Sequence, residues 1–194
     1  MRAAREAGVV VSYDLNFRPS LWEGIGGAKR AVEVNRRLAD LVDVMFGNQE
    51  DFIAALGYDV AGTDSSFSAL DPEVYATMLR AAIDDSPNVK LITTSLRTVH
   101  SATINDWGRI CLAAGRVVTR TMRGGLEILD RIGGGDSFAS GIIYGLLSRL
   151  PIERALDYGI AHGALAMTTP GDTSMATLAD VEQLAARRSA LAAR

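Results

Sequence analysis

The chain has 194 residues, of which 48% are hydrophobic and 22% are charged, and its formal net charge is -3. These values are typical of a globular protein, so we expect residues 1–194 to form a single domain and we exclude intrinsic disorder for most of the chain. The acidic balance argues against nucleic-acid binding, and no apolar run is long enough to span a membrane. The single cysteine, Cys111, leaves no internal disulfide to form, which is typical of a cytoplasmic protein.

In its first half the sequence predicts alternating helices and strands. A short helix ends at Gly8 and leads into an apolar, β-branched segment that suits a buried parallel strand. A loop, an amphipathic helix, a second buried strand and a short helix ending at Gly57 follow. The predicted bounds are helix 3–7, strand 9–14, loop 15–27, helix 27–41, strand 42–46 and helix 49–56.

The second half combines strands with longer helices. Asp71 and Pro72 predict the start of a helix that runs to about Asp84. Strands are predicted at 90–94, 98–104, 109–114, 117–121 and 127–129, with a hairpin turn at 105–108. Helices are predicted at 136–150 and 151–167 and after Thr177. This order predicts an α/β fold, a doubly wound and mostly parallel sheet with helices on both faces, whose ligands bind at the carboxyl ends of the strands.

Three consecutive glycines precede the helix predicted to begin at Asp136. Glycines permit a tight turn with exposed backbone N–H groups, and the helix adds its unpaired N–H groups and the positive end of its dipole. Such a turn suits phosphate oxygens, and an aspartate beside it can take a proton from an attacking hydroxyl. The alternative is a flexible turn with Asp136 as a helix cap. The small residues Ala139, Ser140 and Gly141 favour the anion site, because they allow the helix to pack closely on the sheet.

Residues 130–141 resemble the C-terminal signature of the ribokinase-like (PfkB) carbohydrate kinases. The resemblance implies that Gly133, Gly134 and Gly135 form the anion hole for the transferred phosphoryl group and that Asp136 is the catalytic base. The form Asp-Arg-Ile-Gly-Gly-Gly-Asp is most similar to the 2-keto-3-deoxygluconate kinases. Family members also carry an N-terminal part with the first sugar motif and a β-sheet lid, so the resemblance implies that both are missing here.

Residues 14–22 resemble the loop between the sugar and the nucleotide in that branch of the family. An arginine at a strand end can hold a carboxylate through two parallel hydrogen bonds. The resemblance implies that Arg18 binds the carboxylate of the substrate and that Asn16 lines the same cleft. The alternative is a surface arginine that pairs with an acidic side chain.

Three other segments are similar to nucleotide-binding parts of the family. Asn48 begins an Asn-x-x-Asp sequence where the family has Asn-x-x-Glu, which implies that Asn48 contacts ATP and that Glu50 or Asp51 holds Mg²⁺ through water. Which of the two acids does so is left open. Residues 93–101 imply contacts to ATP from Thr94, Ser95 and Arg97. Residues 168–172 resemble the loop that closes the adenine pocket.

Taken together, the resemblances predict a carbohydrate kinase that uses ATP and Mg²⁺ to phosphorylate a primary hydroxyl of a small sugar acid, with 2-keto-3-deoxygluconate as the expected substrate. One alternative is an incomplete fragment that binds nucleotide without turnover. Such a fragment has an open sheet edge, which predicts association and leaves a homo-oligomer open. Another alternative is a kinase for a neutral sugar such as fructose.

Overall fold

The computed structural model describes residues 1–58, 72–99 and 104–192, so the predicted cap at Asp71 lies outside the described residues. The chain divides into two compact units, residues 1–95 with 110–118 and residues 96–109 with 119–194. That residues 1–194 form a single domain stays a prediction.

The described residues form five strands and eight helices. The strands are hydrogen bonded in chain order and have the bounds β1 Ser12–Asp14, β2 Val44–Gly47, β3 Leu91–Val99, β4 Ile104–Ala113 and β5 Arg116–Glu127. The helices are α1 Arg2–Glu6, α2 Pro19–Glu23, α3 Gly27–Ala39, α4 Gln49–Leu56, α5 Pro72–Asp85, α6 Gly134–Leu147, α7 Ile152–Met167 and α8 Leu178–Ala192. Among the described residues, no helix has both the length and the apolar character that crossing a bilayer requires.

The first unit is built on parallel pairing of β1 with β2 and of β2 with β3. Asp14 lies opposite Phe46, and Gly47 lies opposite Thr94, so β1 and β2 end beside Thr94, whereas β3 continues to Val99. At the other end of β2, buried Asp43 accepts a hydrogen bond from the Val11 N–H at 3.0 Å. Its carboxylate also forms salt bridges with Lys90 at 3.2 Å and Arg5 at 3.4 Å. Asp43 therefore fixes the amino ends of the same strands, since it binds chain from both neighbours of β2.

In the second unit, α6 and α7 pack with their backbones in close contact. A Cβ atom added to Gly141 would lie 2.7 Å from the Gly159 Cα, and one added to Gly145 would lie 2.6 Å from the Ala155 Cβ. Real Cβ atoms do not approach other atoms so closely, so these glycines are required at the contact. The sequence predicted that the small residues after Asp136 pack on the sheet. The close partner of Gly141 is instead α7.

Several predicted elements differ in the structure. The gap predicted between strands 90–94 and 98–104 lies inside β3, and the gap predicted between strands 117–121 and 127–129 lies inside β5. The strand predicted at 9–14 is shortened to β1, and Val9 and Val10 are exposed. The predicted loop 15–27 contains α2, and α6 begins two residues earlier than Asp136. The hairpin turn predicted at 105–108 lies inside β4. The chain instead turns between β4 and β5 at Ala114 and Gly115, which have φ angles of 50° and 72°. Burial explains this last difference, because Trp107 is only 8% exposed and belongs to the core of its unit.

Candidate active site

The glycine turn at the head of α6 is sterically restricted to glycine at its first two positions. Gly133 is the N-cap with a φ of 77°, and a Cβ atom there would lie 2.4 Å from the backbone oxygen of Asp172. Gly134 is buried, and a Cβ atom there would lie 2.9 Å from the Met167 Cγ. Around Gly135 the space is open. The first two glycines thus serve packing and backbone conformation, while the third leaves access to the helix end.

Three backbone N–H groups at this helix end, those of Gly133, Gly135 and Asp136, have no acceptor among the described residues. The Ser137 N–H donates to the Gly133 oxygen at 2.9 Å and begins the helical pattern, whereas the Gly134 N–H has only a long contact of 3.4 Å to the Arg131 oxygen. The N–H groups of Gly135 and Asp136 lie between them and donate to nothing in the described chain. Both residues are exposed, so a bound anion can reach these donors.

Asp136 is the third residue of α6 and is exposed. Among the side chains and backbone groups that the structure describes, its carboxylate has no hydrogen-bond or salt-bridge partner. The alternative reading of Asp136 as the helix cap is wrong, because the N-cap is Gly133 and no side chain caps this helix. The carboxylate therefore stands uncommitted next to the free N–H groups of the helix end.

The chain that enters the glycine turn is held from two sides. The Asp130 Oδ1 accepts a hydrogen bond from the Ile132 N–H at 3.0 Å, which shapes the first half of the turn. The Met167 backbone oxygen, at the end of α7, accepts hydrogen bonds from the N–H groups of Leu129 at 3.0 Å and Asp130 at 3.3 Å. The position of the turn is thus set by α7 as well as by its own residues.

The first unit holds Asn16 and Arg18 in the loop after β1, where both are exposed. Asn16 has a φ of 38°, which asparagine tolerates better than most residues. The Arg18 Nη1 donates to the Phe17 oxygen at 2.9 Å. Arg18 forms no salt bridge with any described acidic residue, so the alternative of a surface ion pair finds no support in the part of the chain that the structure describes.

At the start of α4 the two acidic residues have different environments. Asn48 and Asp51 form a capping box, in which the Asn48 Oδ1 accepts from the Asp51 N–H at 2.8 Å and the Asp51 Oδ2 accepts from the Asn48 N–H at 2.9 Å. The Asp51 Oδ1 accepts a further hydrogen bond from the Phe17 N–H at 2.8 Å, and Asp51 is buried. Glu50 is exposed. Of the two candidates for magnesium, Glu50 is thus the one whose carboxylate is not engaged by backbone N–H groups.

The predicted ATP contacts in β3 are partly described. Thr94 is fully buried and its Oγ1 has no hydrogen-bond partner among the described residues, while Ser95 is partly buried. Arg97 belongs to β3, but its side chain lies outside the described residues. Sequence reasoning missed Gln49, whose buried Nε2 likewise has no partner in the described chain while its Oε1 accepts from the Tyr75 hydroxyl at 2.7 Å. One polar residue after an N-cap is no distinctive signal in a sequence.

Comparison with known proteins agrees with this geometry. Residues 121–178, which contain the whole glycine turn, match the profile of the pfkB family carbohydrate kinases. Over this segment the chain is similar to the pfkB carbohydrate kinases. This confirms the resemblance read from residues 130–141, and the α/β, ribokinase-like fold class is confirmed as well.

Relatives of known name are carbohydrate kinases as well. The chain is 28% identical over 186 residues to a 5-dehydro-2-deoxygluconokinase of Geobacillus kaustophilus, a match that covers 93% of this chain and 47% of the relative. It is 28% identical over 184 residues to a 2-dehydro-3-deoxygalactonokinase of Haloferax volcanii, covering 95% and 49%. The crystal structure of a 2-dehydro-3-deoxygluconokinase from Thermotoga maritima superimposes with a TM-score of 0.83 at 32% identity, covering 95% of this chain and 52% of that one. The chain thus spans about half the length of the relatives it matches.

Proposed function

We propose that the protein transfers the γ-phosphoryl group of ATP to a primary hydroxyl of a small sugar acid. One observation carries the proposal, which is the pair of free N–H groups of Gly135 and Asp136 beside an exposed and uncommitted carboxylate at the head of α6. The N–H groups suit the oxygens of a transferring phosphoryl group, and the carboxylate suits a hydroxyl that must lose its proton.

In the proposed step, the Asp136 carboxylate accepts the proton of the sugar hydroxyl as its oxygen forms a bond to the γ-phosphorus. The bond between that phosphorus and the bridging oxygen of ATP breaks, and ADP leaves with the electron pair. The N–H groups of Gly135 and Asp136 donate to the phosphoryl oxygens while negative charge is spread over them. The chain therefore contributes a base and an electrostatic cradle from a single helix end.

The proposed substrate is a keto-deoxy sugar acid, with 2-keto-3-deoxygluconate as the first candidate. The relatives named above are kinases of dehydro-deoxy derivatives of gluconate and galactonate, which share a carboxylate and a terminal alcohol. We propose that Arg18 binds the carboxylate, because its guanidinium is exposed and is not paired with a described acid. Asn16 is proposed to contact the same substrate.

We further propose that Mg²⁺ is held near Glu50 through water and that Asn48, Thr94, Ser95 and Arg97 contact ATP. Magnesium accompanies phosphates with few protein ligands and prefers hard oxygen donors, so one exposed carboxylate fits it. Asp51 is a poor choice, since both of its oxygens accept backbone N–H groups. When bound, the ion neutralises charge on the phosphates. In the same unit, the Gln49 Nε2 and the Thr94 Oγ1 are buried without a described hydrogen-bond partner, so both are available to bind a ligand.

The chain's own activity is tested by ADP release in a coupled assay with 2-keto-3-deoxygluconate, 5-dehydro-2-deoxygluconate and fructose. We expect release that depends on the acid sugar and that falls by about 10²-fold or more in Asp136→Asn. The control is Asp40→Asn, an exposed aspartate at the end of α3. Undiminished turnover in Asp136→Asn would refute the proposed base. Binding of ATP without turnover would favour the alternative of an incomplete fragment.

Self-association and location are the remaining proposals. Val9 is 55% exposed and Val10 is 67% exposed just before β1, which is the first strand in the sheet order, and such a strand edge favours pairing between chains. We therefore propose that the protein forms a homo-oligomer. Sedimentation velocity tests this proposal, because the sedimentation coefficient of an associating protein rises with its concentration. The cytoplasmic location stays a prediction from the sequence.

A further inference from the structure

One histidine connects two elements that border the glycine turn. His162 of α7 is partly buried, and its Nδ1 lies 2.8 Å from the Ser140 Oγ of α6. Its Nε2 lies 3.0 Å from the Ser174 Oγ, in the segment 168–177 that joins α7 to α8. The ring thus bridges α6 and this segment, which we call the connecting segment.

The hydrogen-bond partners define how the ring is used. The Ser140 hydroxyl donates to the Ser137 oxygen at 2.9 Å, so its Oγ is left to accept the Nδ1–H of the imidazole. The Ser174 Oγ accepts the Ala176 N–H at 3.3 Å, which leaves its own hydroxyl proton available to donate to Nε2. Both ring nitrogens of a neutral His162 are therefore satisfied by serines.

The connecting segment also touches the glycine turn. The backbone oxygen of Asp172 lies so close to Gly133 that a Cβ atom there would be 2.4 Å away. Beyond Ser174, the Thr177 N–H donates to the Asp180 Oδ2 at 2.8 Å and fixes the start of α8. At its start the segment is held to α7 by the hydroxyls of Thr168 and Thr169, which donate to backbone oxygens of α7. Farther along, between these threonines and the cap of α8, Ser174 binds His162 of α7.

We propose that His162 is a positioning residue that holds the connecting segment against the glycine turn, so that the Asp172 backbone and the N–H groups at the head of α6 form one wall for a nucleoside triphosphate. The choice of a nucleoside triphosphate as the ligand rests on the proposed function. The contacts of His162 with Ser140 and Ser174, which we call the tether, do not depend on that function, because they are present in the protein without ligand.

The tether is tested by hydrogen exchange of the full chain without ligand. In His162→Ala and Ser174→Ala, we expect the Ala176 N–H to exchange about 10-fold faster, because the first substitution frees its acceptor, the Ser174 hydroxyl, and the second removes that acceptor. Ser148→Ala, an exposed serine after α6, is the matched control. Unchanged exchange in the segment, or a uniform increase along the whole chain, would overturn the proposal.

The ligand side is tested by calorimetric titration with ATP. We expect the Kd for ATP to rise about 10-fold in His162→Ala and to recover in part in His162→Gln, whose amide keeps a hydrogen-bonding group for Ser174. An unchanged Kd together with faster exchange would show that the connecting segment does not contact the nucleotide. That result would overturn the proposal that the segment and the head of α6 together bind it. Absence of any kinase turnover in the natural chain, with both effects present, would refute the proposed reaction and leave the tether standing.

Discussion

The backbone N–H of Phe17 donates to the Oδ1 of Asp51 at 2.8 Å, so the first turn of α4 holds the loop that follows β1. The same carboxylate closes the capping box with Asn48. Asp51 belongs to the motif that resembles a magnesium site, but both of its carboxylate oxygens accept backbone N–H groups and so connect α4 to the loop after β1. This relationship separates the roles of Glu50 and Asp51 in a way that can be measured.

Asp51→Ala should destabilise the protein by about 1–3 kcal/mol, because it removes a helix cap and leaves the N–H groups of Phe17 and Asn48, both in partly buried hydrogen bonds, without their acceptor. Glu50→Gln should change the free energy of unfolding by less than about 0.5 kcal/mol, since Glu50 is exposed. Urea denaturation measures both. In the kinase assay, Glu50→Gln should raise the Mg²⁺ concentration needed for half-maximal rate. A stable Asp51→Ala protein would contradict the assigned role.

Gly145→Ala should destabilise the protein by about 1–3 kcal/mol or more, because the new methyl group would lie 2.6 Å from the Ala155 Cβ and force α6 and α7 apart. Gly135→Ala is the matched variant in the same helix, and its methyl group meets open space. There the higher helix propensity of alanine should leave stability unchanged or raised by up to about 1 kcal/mol. Thermal unfolding of the two variants should shift in different directions; equal losses would refute the packing argument.

Arg18→Ala should raise the KM for acid sugars at least 10-fold and leave the KM for fructose within about two-fold, since only the acid sugars offer a carboxylate to the guanidinium. Steady-state kinetics with the paired substrates measure this difference. Arg18→Lys should recover part of the loss because it keeps the charge without the planar fork. Equal losses on acid and neutral sugars would show that Arg18 does not select the carboxylate.

Stability should fall in two steps as the solution is acidified. Burial lowers the pKa of His162 below its ordinary value of 6.5, with an opposing contribution from the Ser137 backbone. The unfolded chain therefore binds a proton first, and stability decreases as the pH falls below about 6.5. The pKa of Asp43 is also lowered. Burial opposes this shift, and the hydrogen bonds from Val11 and Lys90 and the charges of Lys90 and Arg5 outweigh burial. The stability that Asp43 contributes is present above its ordinary pKa and is lost in a second step as the pH falls below about 3.8.

The first of these steps should be absent in His162→Gln and the second reduced in Asp43→Asn. Urea denaturation from pH 8 to pH 3 measures both. Retention of the step near neutral pH in His162→Gln would assign it to another group.

The sequence was sufficient for the parts of the fold that depend on local patterns. The parallel strand β2, the part of β3 up to Thr94, the helices α5 and α7 and the glycine turn all follow from apolar runs, caps and glycines, and the structure confirms them. The motif of residues 130–141 was specific enough to indicate the family before any coordinates. Local composition failed at the turn predicted for 105–108, because Trp107 and Arg109 are buried and Arg109 stacks on the Trp107 ring at 4.5 Å and on the Phe138 ring at 4.2 Å.

The features of the site that sequence reasoning missed depend on contacts between distant residues. Asp51 binds Phe17, 34 residues earlier, and His162 binds Ser140, 22 residues earlier. Neither pair leaves a periodic or compositional trace. The sequence could therefore nominate Asp51 and Glu50 together, and only their hydrogen bonds distinguish them.

The glycine contact between α6 and α7 also has a mechanical consequence. Gly141 and Gly145 are one turn apart, and each faces chain of α7 with no room for a side chain. Sliding α6 along its axis by one turn would bring Ser137 or Arg149 to one of these two places, where a side chain does not fit, so the two helices admit a single alignment. The position of Asp136 along the axis of α7 is thereby fixed in the protein without ligand. Any closing movement around a substrate would have to come from elements other than α6 and α7.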